Sequence, residues 1–361
     1  MLDVRNVLDV NIQNVFTTIT VGTRDLHDMF VDIARLFKGR DTEKVFLLEC
    51  INGTVRAHAS TVLYYTRVLA RNAKCEDFSI AFKFMDLSTL IDATMLKSFK
   101  TLELVISPTA MSIQAESATL GLSTSNTSLK FKSEDLHIDT HKLEIGYNPF
   151  GPMRALSRLT ALYKDYPAHK SIFCRSNYSY VITPVAYVYV KGCPFDTVMD
   201  ISTSDFLYNL VLENKKSEIR YGKDEGSILL DIGENLRIFV PTTIRNVERN
   251  TNNLEKDSVV ITSLSADTIH KEISKFKDRI TVKLIFKDST MTIAVNSFDM
   301  NYSKTIHLYN TVKNNYTIVT DSSYLTNILS IFEDEEIMLL GGDQLLIMKS
   351  ESKRAFLSCL N

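Results

Sequence analysis

The sequence has no apolar run approaching the roughly 18 residues that a membrane-spanning helix needs. Its first residues, Met1-Leu-Asp-Val-Arg5, also lack the charged-then-apolar layout of a secretory signal. Cysteine is scarce and unpatterned. Cys50, Cys75, Cys174, Cys193 and Cys359 are odd in number, widely spaced and never arranged as Cys-x-x-Cys. Such usage fits buried, reduced thiols in a reducing compartment and argues against a disulfide framework. The expected location is cytoplasmic, and the Asn52-Gly-Thr54 and Asn315-Tyr-Thr317 sequons are then incidental.

Glycine is also sparse, at 12 residues, and no Gly-rich phosphate loop, Gly-x-Ser-x-Gly or His-Glu-x-x-His occurs. Little material remains for a catalytic cleft, so the chain reads as a non-enzyme without cofactor or metal. His137 and His141 share one face of an alternating, strand-like segment, where that spacing sets them about 13 Å apart, too far for one zinc ion. Glu333-Asp-Glu-Glu336 reads as a solvated acidic loop after a helix. Charge of one sign is not in excess: 41 Lys and Arg face 43 Asp and Glu, for a net charge of −2. A neutral total leaves a polyanionic partner open, because affinity depends on where the charge sits.

What is present is a repeated pattern. A chain of 361 residues that is 45% hydrophobic can bury two or three cores. The last third opens with helical spacing at Ile269, Ile273 and Phe276, then alternates over 280–286, 291–295, 302–309 and 316–320. A second helix follows over 322–332, capped by Asp321 or Ser322, with Tyr324, Leu325, Ile328, Leu329 and Phe332 as its face. Strands over 336–340, 344–348 and 355–359 close the unit.

The first third follows the same order. A strand at 17–21 leads into a helix over 24–38 whose stripe is Leu26, Phe30, Ile33 and Phe37, stopped by Gly39. Asn52-Gly53 predicts a hairpin, and a short helix over 87–96 shows Leu90, Ile91, Thr94 and Met95 on one face. The middle third has a helix over 152–164, with Leu156, Leu159 and Tyr163 inward, and a second over 204–212, with Phe206, Leu207, Leu210 and Val211 inward. The second-helix faces recur at intervals of about 116 and 118 residues. The polar stretch 241–257 reads as a connector, and a second boundary falls within the small-polar run 123–128. The expected domains are 1–125, 126–245 and 246–361.

Three units, each ordered helix–strands–helix–strands with the second half echoing the first, resemble the DNA sliding clamps. The closest likeness is to the three-domain bacterial beta clamp, or a divergent phage or viral counterpart acting in the host cytoplasm. The tail Phe356-Leu-Ser-Cys-Leu-Asn361 is apolar but lacks the family's Met-Pro. Leu143-Glu-Ile-Gly-Tyr-Asn148 is similar to an Ile-Gly-Phe-Asn phrase of the family, yet it stands before a different helix.

The resemblance implies an α+β fold of three tandem clamp domains, each with two helices packed on antiparallel sheets. It also implies a head-to-tail homodimeric ring that encloses duplex DNA without reading sequence and tethers a polymerase. Polymerase and clamp loader would dock through short peptides. Helices lining the channel need one apolar face and one basic face. The basic candidates are Arg24, Arg35 and Lys38 in the first unit, Arg154, Arg158 and Lys164 in the second, and Lys271, Lys275, Lys277 and Arg279 in the third. By the same resemblance, a partner-peptide pocket would be bounded by Pro241, Ile244 and Val247 of the connector and Phe356, Leu357 and Leu360 of the tail, with Val190 and Gly192 as its wall. A monomeric, crescent-shaped processivity factor and a viral structural or interaction protein without a DNA role are the alternatives.

Overall fold

The computed structural model describes residues 17–39, 43–116, 118–125, 138–144, 146–175, 177–224, 227–241, 255, 258–276, 279–297, 300–312, 314–342 and 344–360. The chain forms two compact units, Met1–Tyr147 with Asn209–Thr242 and Asn148–Tyr208 with Thr243–Asn361. The cuts near residues 147 and 208 fall inside the middle third of the sequence pattern.

The first unit holds two antiparallel sheets. One has four strands in the order β1 (Thr17–Gly22), β6 (Thr101–Ile106), β7 (Ala110–Ala115) and β8 (Ala118–Ser123). The other has eight, in the order β5 (Phe78–Lys83), β2 (Val45–Ile51), β3 (Thr54–Ser60), β4 (Tyr64–Ala70), β16 (Leu236–Pro241), β15 (Ser227–Ile232), β14 (Ile219–Asp224) and β9 (His141–Lys142). Helix α1 (Thr23–Phe37) lies beside α2 (Ser88–Ile91), which runs on as a π turn, Asp92–Leu96.

The second unit repeats the plan. Its eight-stranded sheet runs β13 (Thr197–Asp200), β10 (Ser171–Arg175), β11 (Tyr178–Ile182), β12 (Ala186–Lys191), β24 (Lys353–Ser358), β23 (Leu345–Lys349), β22 (Glu336–Gly342) and β17 (Val259–Ser265). Its four-stranded sheet runs β20 (Met300–His307), β19 (Thr290–Ser297), β18 (Thr281–Lys287) and β21 (Tyr316–Asp321). Helices α3 (Gly151–Ser157), α4 (Thr160–Asp165), α6 (Ala266–Ile273) and α7 (Ser322–Leu329) belong to this unit, and the chain passes between units within α5 (Ile201–Glu213). Among the described residues, no helix is long and apolar enough to cross a membrane.

Local sequence explains most of these elements. Leu26, Phe30, Ile33 and Phe37 are buried on α1 as their spacing predicts, with Met29 added. Asn52 and Gly53 both take positive φ, +50° and +71°, the conformation that joins β2 to β3 in a two-residue turn. Asp321 caps α7, accepting from the backbone N–H groups of Ser323 and Tyr324. Cys50, Cys174 and Cys193 are buried free thiols, and Cys75 and Cys359 are half-buried.

Two expectations need correction. On α2, Ile91 and Met95 are buried but Leu90 and Thr94 are exposed. The wider π turn keeps residues four apart in line and rotates their neighbours outward. The expected helix over 152–164 is broken, because Leu159 leaves the helical region at ψ 49°. Just before the break, the Ser157 hydroxyl donates back to the Arg154 carbonyl at 2.9 Å. Leu156, Leu159 and Tyr163 are nonetheless all buried. The acidic run after α7 lies at the surface as expected, with Glu333, Asp334 and Glu336 exposed, and it forms two ion pairs, Glu333 with Arg158 and Glu335 with Lys353.

In each unit a seam joins strands far apart in sequence. β4 meets β16 with Tyr64 opposite Phe239 and Thr66 opposite Arg237. β12 meets β24 with Tyr187 opposite Phe356 and Tyr189 opposite Arg354. The two seams therefore share one pattern, Tyr across from Phe and, two residues on, a residue across from Arg. Beneath β4, on the α1 side, the Tyr65 hydroxyl and the Arg67 guanidinium both donate to buried Asp32, at 2.9 and 3.0 Å.

Candidate nucleic-acid and partner interface

The helices of the second unit carry a row of basic side chains. α7 packs against both α4 and α6. Asn327 of α7 accepts from the Ala161 N–H at 2.7 Å and from the Thr160 hydroxyl at 3.3 Å, which registers it on the first turn of α4. Arg279 ties the other end, bonding Asp165 at 2.5 Å, pairing with Asp321 and lying 4.6 Å from the Tyr324 ring centre. Its hydrogen bond to Asp321 raises its already high proton affinity. Arg279 is thus a fastener among acids, although its position in the sequence suggested a free basic face.

Several other predicted basics are likewise paired. Arg35 pairs with Glu213, Arg154 with Asp205 at 2.8 Å, Arg158 with Glu333 at 3.3 Å and Lys275 with Glu272 at 2.5 Å. Exposed pairs of this kind contribute about 0–1 kcal/mol, so a phosphate can replace the carboxylate at small cost. Arg24 and Lys38 stand exposed at the two ends of α1, Lys164 on α4 and Lys271 on α6. Lys277 lies outside the described residues.

The tail residues divide. Phe356 and Leu357 are both buried, at 3% and 0% exposure, because each face of the eight-stranded sheet is covered there. Phe356 packs with Leu340 and Ile347, with Tyr187, Tyr189 and Leu345 against the cluster. Leu360 is 53% exposed while its backbone bridges to Val319 of β21. Val190 and Gly192 lie at the far end of β12: Val190 pairs with Lys353 at the start of β24, whereas Ala186 pairs with Leu357 near its end. Four residues of strand, about 13 Å, separate those positions.

The backbone beside the tail is instead the β11–β12 turn. Ser358 N–H donates to the Val185 carbonyl at 2.9 Å and Cys359 N–H to the Gln344 carbonyl at 2.8 Å. Exposed Pro184 and half-buried Val185 and Leu345 border this end of the sheet. Sequence alone missed them because only the antiparallel register of β12 on β24 decides which end of β12 meets the tail. Pro241 ends β16 in the first unit, exposed, and Ile244 and Val247 lie outside the described residues. Among the described residues, no group of three or more His, Cys, Asp or Glu side chains could hold a metal ion.

No family model and no curated protein matches the sequence. The structure, however, is similar to solved beta subunits of DNA polymerase III. A DNA polymerase III subunit beta from Pseudomonas aeruginosa matches with a TM-score of 0.77 and 10% identity, over 96% of this chain and 100% of that one. A putative DNA polymerase III beta subunit from Eubacterium rectale gives 0.75 and 11%, over 95% and 99%. A DNA polymerase sliding clamp from Caulobacter crescentus gives 0.74 and 12%, over 96% and 100%. A Helicobacter pylori beta clamp bound to a DNA ligase peptide gives 0.68 and 10%, over 96% and 100%. Over almost its whole length, the chain has the α+β fold of the DNA sliding clamps.

Proposed function

We propose that the protein is a non-enzymatic processivity clamp, a head-to-tail homodimer that encloses duplex DNA and tethers a polymerase. The observation that carries this reading is the strand order. β4 pairs with β16 and β12 pairs with β24, so the penultimate strand before a repeat's second helix pairs with the last strand of the next repeat. By that rule β20 needs a strand equivalent to β16 and β24. The equivalent strand is β8 of a second copy. β8 is one outer strand of the first four-stranded sheet and β20 one outer strand of the second, and among the described residues neither has a strand on its outer side. Two such contacts close a ring of two chains. Each chain then supplies three clamp domains, with boundaries at 1–125, 126–245 and 246–361.

The register follows from the seams. β8, β16 and β24 align as Ala118-Thr-Leu-Gly-Leu-Ser123, Leu236-Arg-Ile-Phe-Val-Pro241 and Lys353-Arg-Ala-Phe-Leu-Ser358, with Leu120 and Leu122 buried like Ile238, Val240, Ala355 and Leu357. Tyr65 and Tyr302 each donate to an acid of the helix on their sheet, Asp32 and Glu272. Ile238 faces Tyr65, so Leu120 would face Tyr302 of a second copy, and Thr119 would face Ser303.

Lys164, Lys271 and the exchangeable Arg154, Arg158 and Lys275 would then face phosphates, without base readout. Partner peptides would dock beside the tail, against Val185, Leu345 and Leu360. In the similar Helicobacter pylori clamp a DNA ligase peptide is bound. The deciding experiment compares retention on nicked circular and linear duplex DNA, with light scattering over a concentration series. A ring stays on the circle and slides off the linear form. Equal, salt-sensitive binding of a monomer to both would favour an open, charge-held factor, and no binding would leave a scaffold without a DNA role.

A further inference from the structure

On the β4–β16 seam, the face turned away from α1 carries a cavity of about 350 Å³ that no feature of the clamp reading uses. Thr66, Val68 and Leu236 line it together with four arginines, Arg56, Arg71, Arg220 and Arg237. Asp231 and Glu234 are the only carboxylates in the lining, so four positive charges against two leave a net charge of +2. Register explains how arginines from four parts of the sheet converge. Arg56 of β3 faces Val68, Arg237 faces both Thr66 and Asp231, and Asp231 faces Arg220 of β14.

Neighbouring groups position these arginines around the cavity. Asp231 is held in a two-pronged bond by Arg237, at 2.7 and 3.1 Å. Arg71 is anchored to the β15–β16 turn, donating to the Glu234 carbonyl at 2.8 Å and the Asn235 side chain at 3.0 Å. Arg56 reaches Glu49 at 3.8 Å, and Glu49 is hydrogen-bonded to His58 at 2.7 Å. Arg220 donates to the Thr140 hydroxyl at 3.2 Å and the Thr140 carbonyl at 3.4 Å and reaches Glu218 at 3.6 Å, while Glu218 is bonded to Lys142 at 2.7 Å. These contacts hold the guanidinium groups around the cavity before any ligand arrives.

The second seam shows what such an arginine takes. There Tyr189 stands at the register position of Thr66, and its ring lies 5.6 Å from the Arg354 guanidinium. The Glu255 carboxylate completes the site, bonding Arg354 at 2.5 Å and reaching Lys349 at 3.7 Å. One seam fills the space with a tyrosine ring and an acid. The other, with threonine in place of tyrosine, leaves it open.

We propose that this cavity is a binding site for a small, multiply charged oxyanion, a compound carrying two or more phosphate or carboxylate groups. Planar guanidinium forks suit both groups and bind them in pairs of parallel hydrogen bonds. The volume lies in the range of small-molecule sites. The site is distinct from the proposed DNA-facing helices and from the tail, and its test does not depend on whether the chain encloses DNA.

The test is calorimetric titration of the full-length protein with inorganic pyrophosphate and, separately, with citrate. Saturable binding of one ligand per chain is expected, with tighter pyrophosphate assigning a phosphate compound and tighter citrate a polycarboxylate. The paired Arg56→Gln and Arg220→Gln variant should weaken binding at least tenfold, leaving retention on circular DNA unchanged. Thr66→Tyr, which imitates the closed seam, should abolish binding, and its melting temperature shows whether the fold is kept. Equal affinity in the arginine variant overturns the proposal, as do several weak equivalents per chain or no binding of either compound.

Discussion

The Tyr187 ring lies 5.9 Å from that of Phe356 across one seam, and the Tyr64 ring lies 5.7 Å from that of Phe239 across the other. The same aromatic pair thus joins strands more than 150 residues apart in each unit. Phe356 is buried at 3% exposure, while Phe239 is half-buried. Phe356→Ala should therefore destabilise by about 3–5 kcal/mol and Phe239→Ala by less, since cavity cost scales with burial. Urea midpoints would show the order, and a larger loss at Phe239 would contradict it.

The buried trio under α1 makes stability depend on pH. Burial, the largest effect, pushes Asp32 from an ordinary 3.8 up to about 6, with the Arg67 charge and the Tyr65 hydroxyl opposing it. The folded state then holds this proton more tightly than the unfolded chain. The stabilisation is fully present below about pH 4 and is lost as pH rises through about 6, by about 3 kcal/mol at most. Comparison with Asp32→Asn, which has no proton to lose there, isolates the effect from other carboxylates. The stability of the wild type relative to the variant should fall between pH 4.5 and 7.5. A rise would mean that the Arg67 ion pair outweighs burial.

The helical row predicts graded effects on duplex binding. Lys164 and Lys271 are exposed, whereas Arg154, Arg158 and Lys275 must first leave their carboxylates. Lys164→Ala with Lys271→Ala should weaken binding equally on any sequence and lower the salt slope by about 2. Arg154→Ala with Arg158→Ala should lower it by less. Affinity against salt concentration measures both, and identical slopes for all variants would remove these helices from the DNA face.

What the sequence made legible was periodic. Leu26, Phe30, Ile33 and Phe37 on α1, and Phe206, Leu207, Leu210 and Val211 on α5, are buried where spacing placed them. Relations between distant segments left no such trace. Nothing in the residues around Val190 marks it as facing Lys353 and not Leu357, because antiparallel register is set only when β12 and β24 meet. Arg279 looked like part of a basic face because Asp165 stands 114 residues away. Thr66 and Tyr189 acquire their contrast only once each is seen opposite an arginine.

The proposed ring contact can be trapped covalently. Cross-strand partners in antiparallel sheets lie within disulfide range. Thr119→Cys with Ser303→Cys should give an oxidised dimer, and thiol reduction should restore the monomer band on denaturing gels. Thr119→Cys with Thr305→Cys, displaced by two positions, should cross-link poorly. Equal yields from both would refute the proposed register.

The tail prediction turns on Leu360. Removing Ser358 to Asn361 would also delete the backbone bonds to Val185, Gln344 and Val319, so loss of function in that truncation would not identify a docking site. Leu360→Ser keeps the backbone and changes only a side chain that is 53% exposed. Burying a leucine-sized side chain against a partner contributes about 1.5–3 kcal/mol. Its loss should therefore weaken binding of the cognate polymerase by roughly 10- to 150-fold. Melting temperature should stay unchanged, because an exposed side chain adds little to the fold. A variant that binds polymerase as tightly as the wild type would move the partner site away from the tail, and a large fall in melting temperature would show that Leu360 serves the fold.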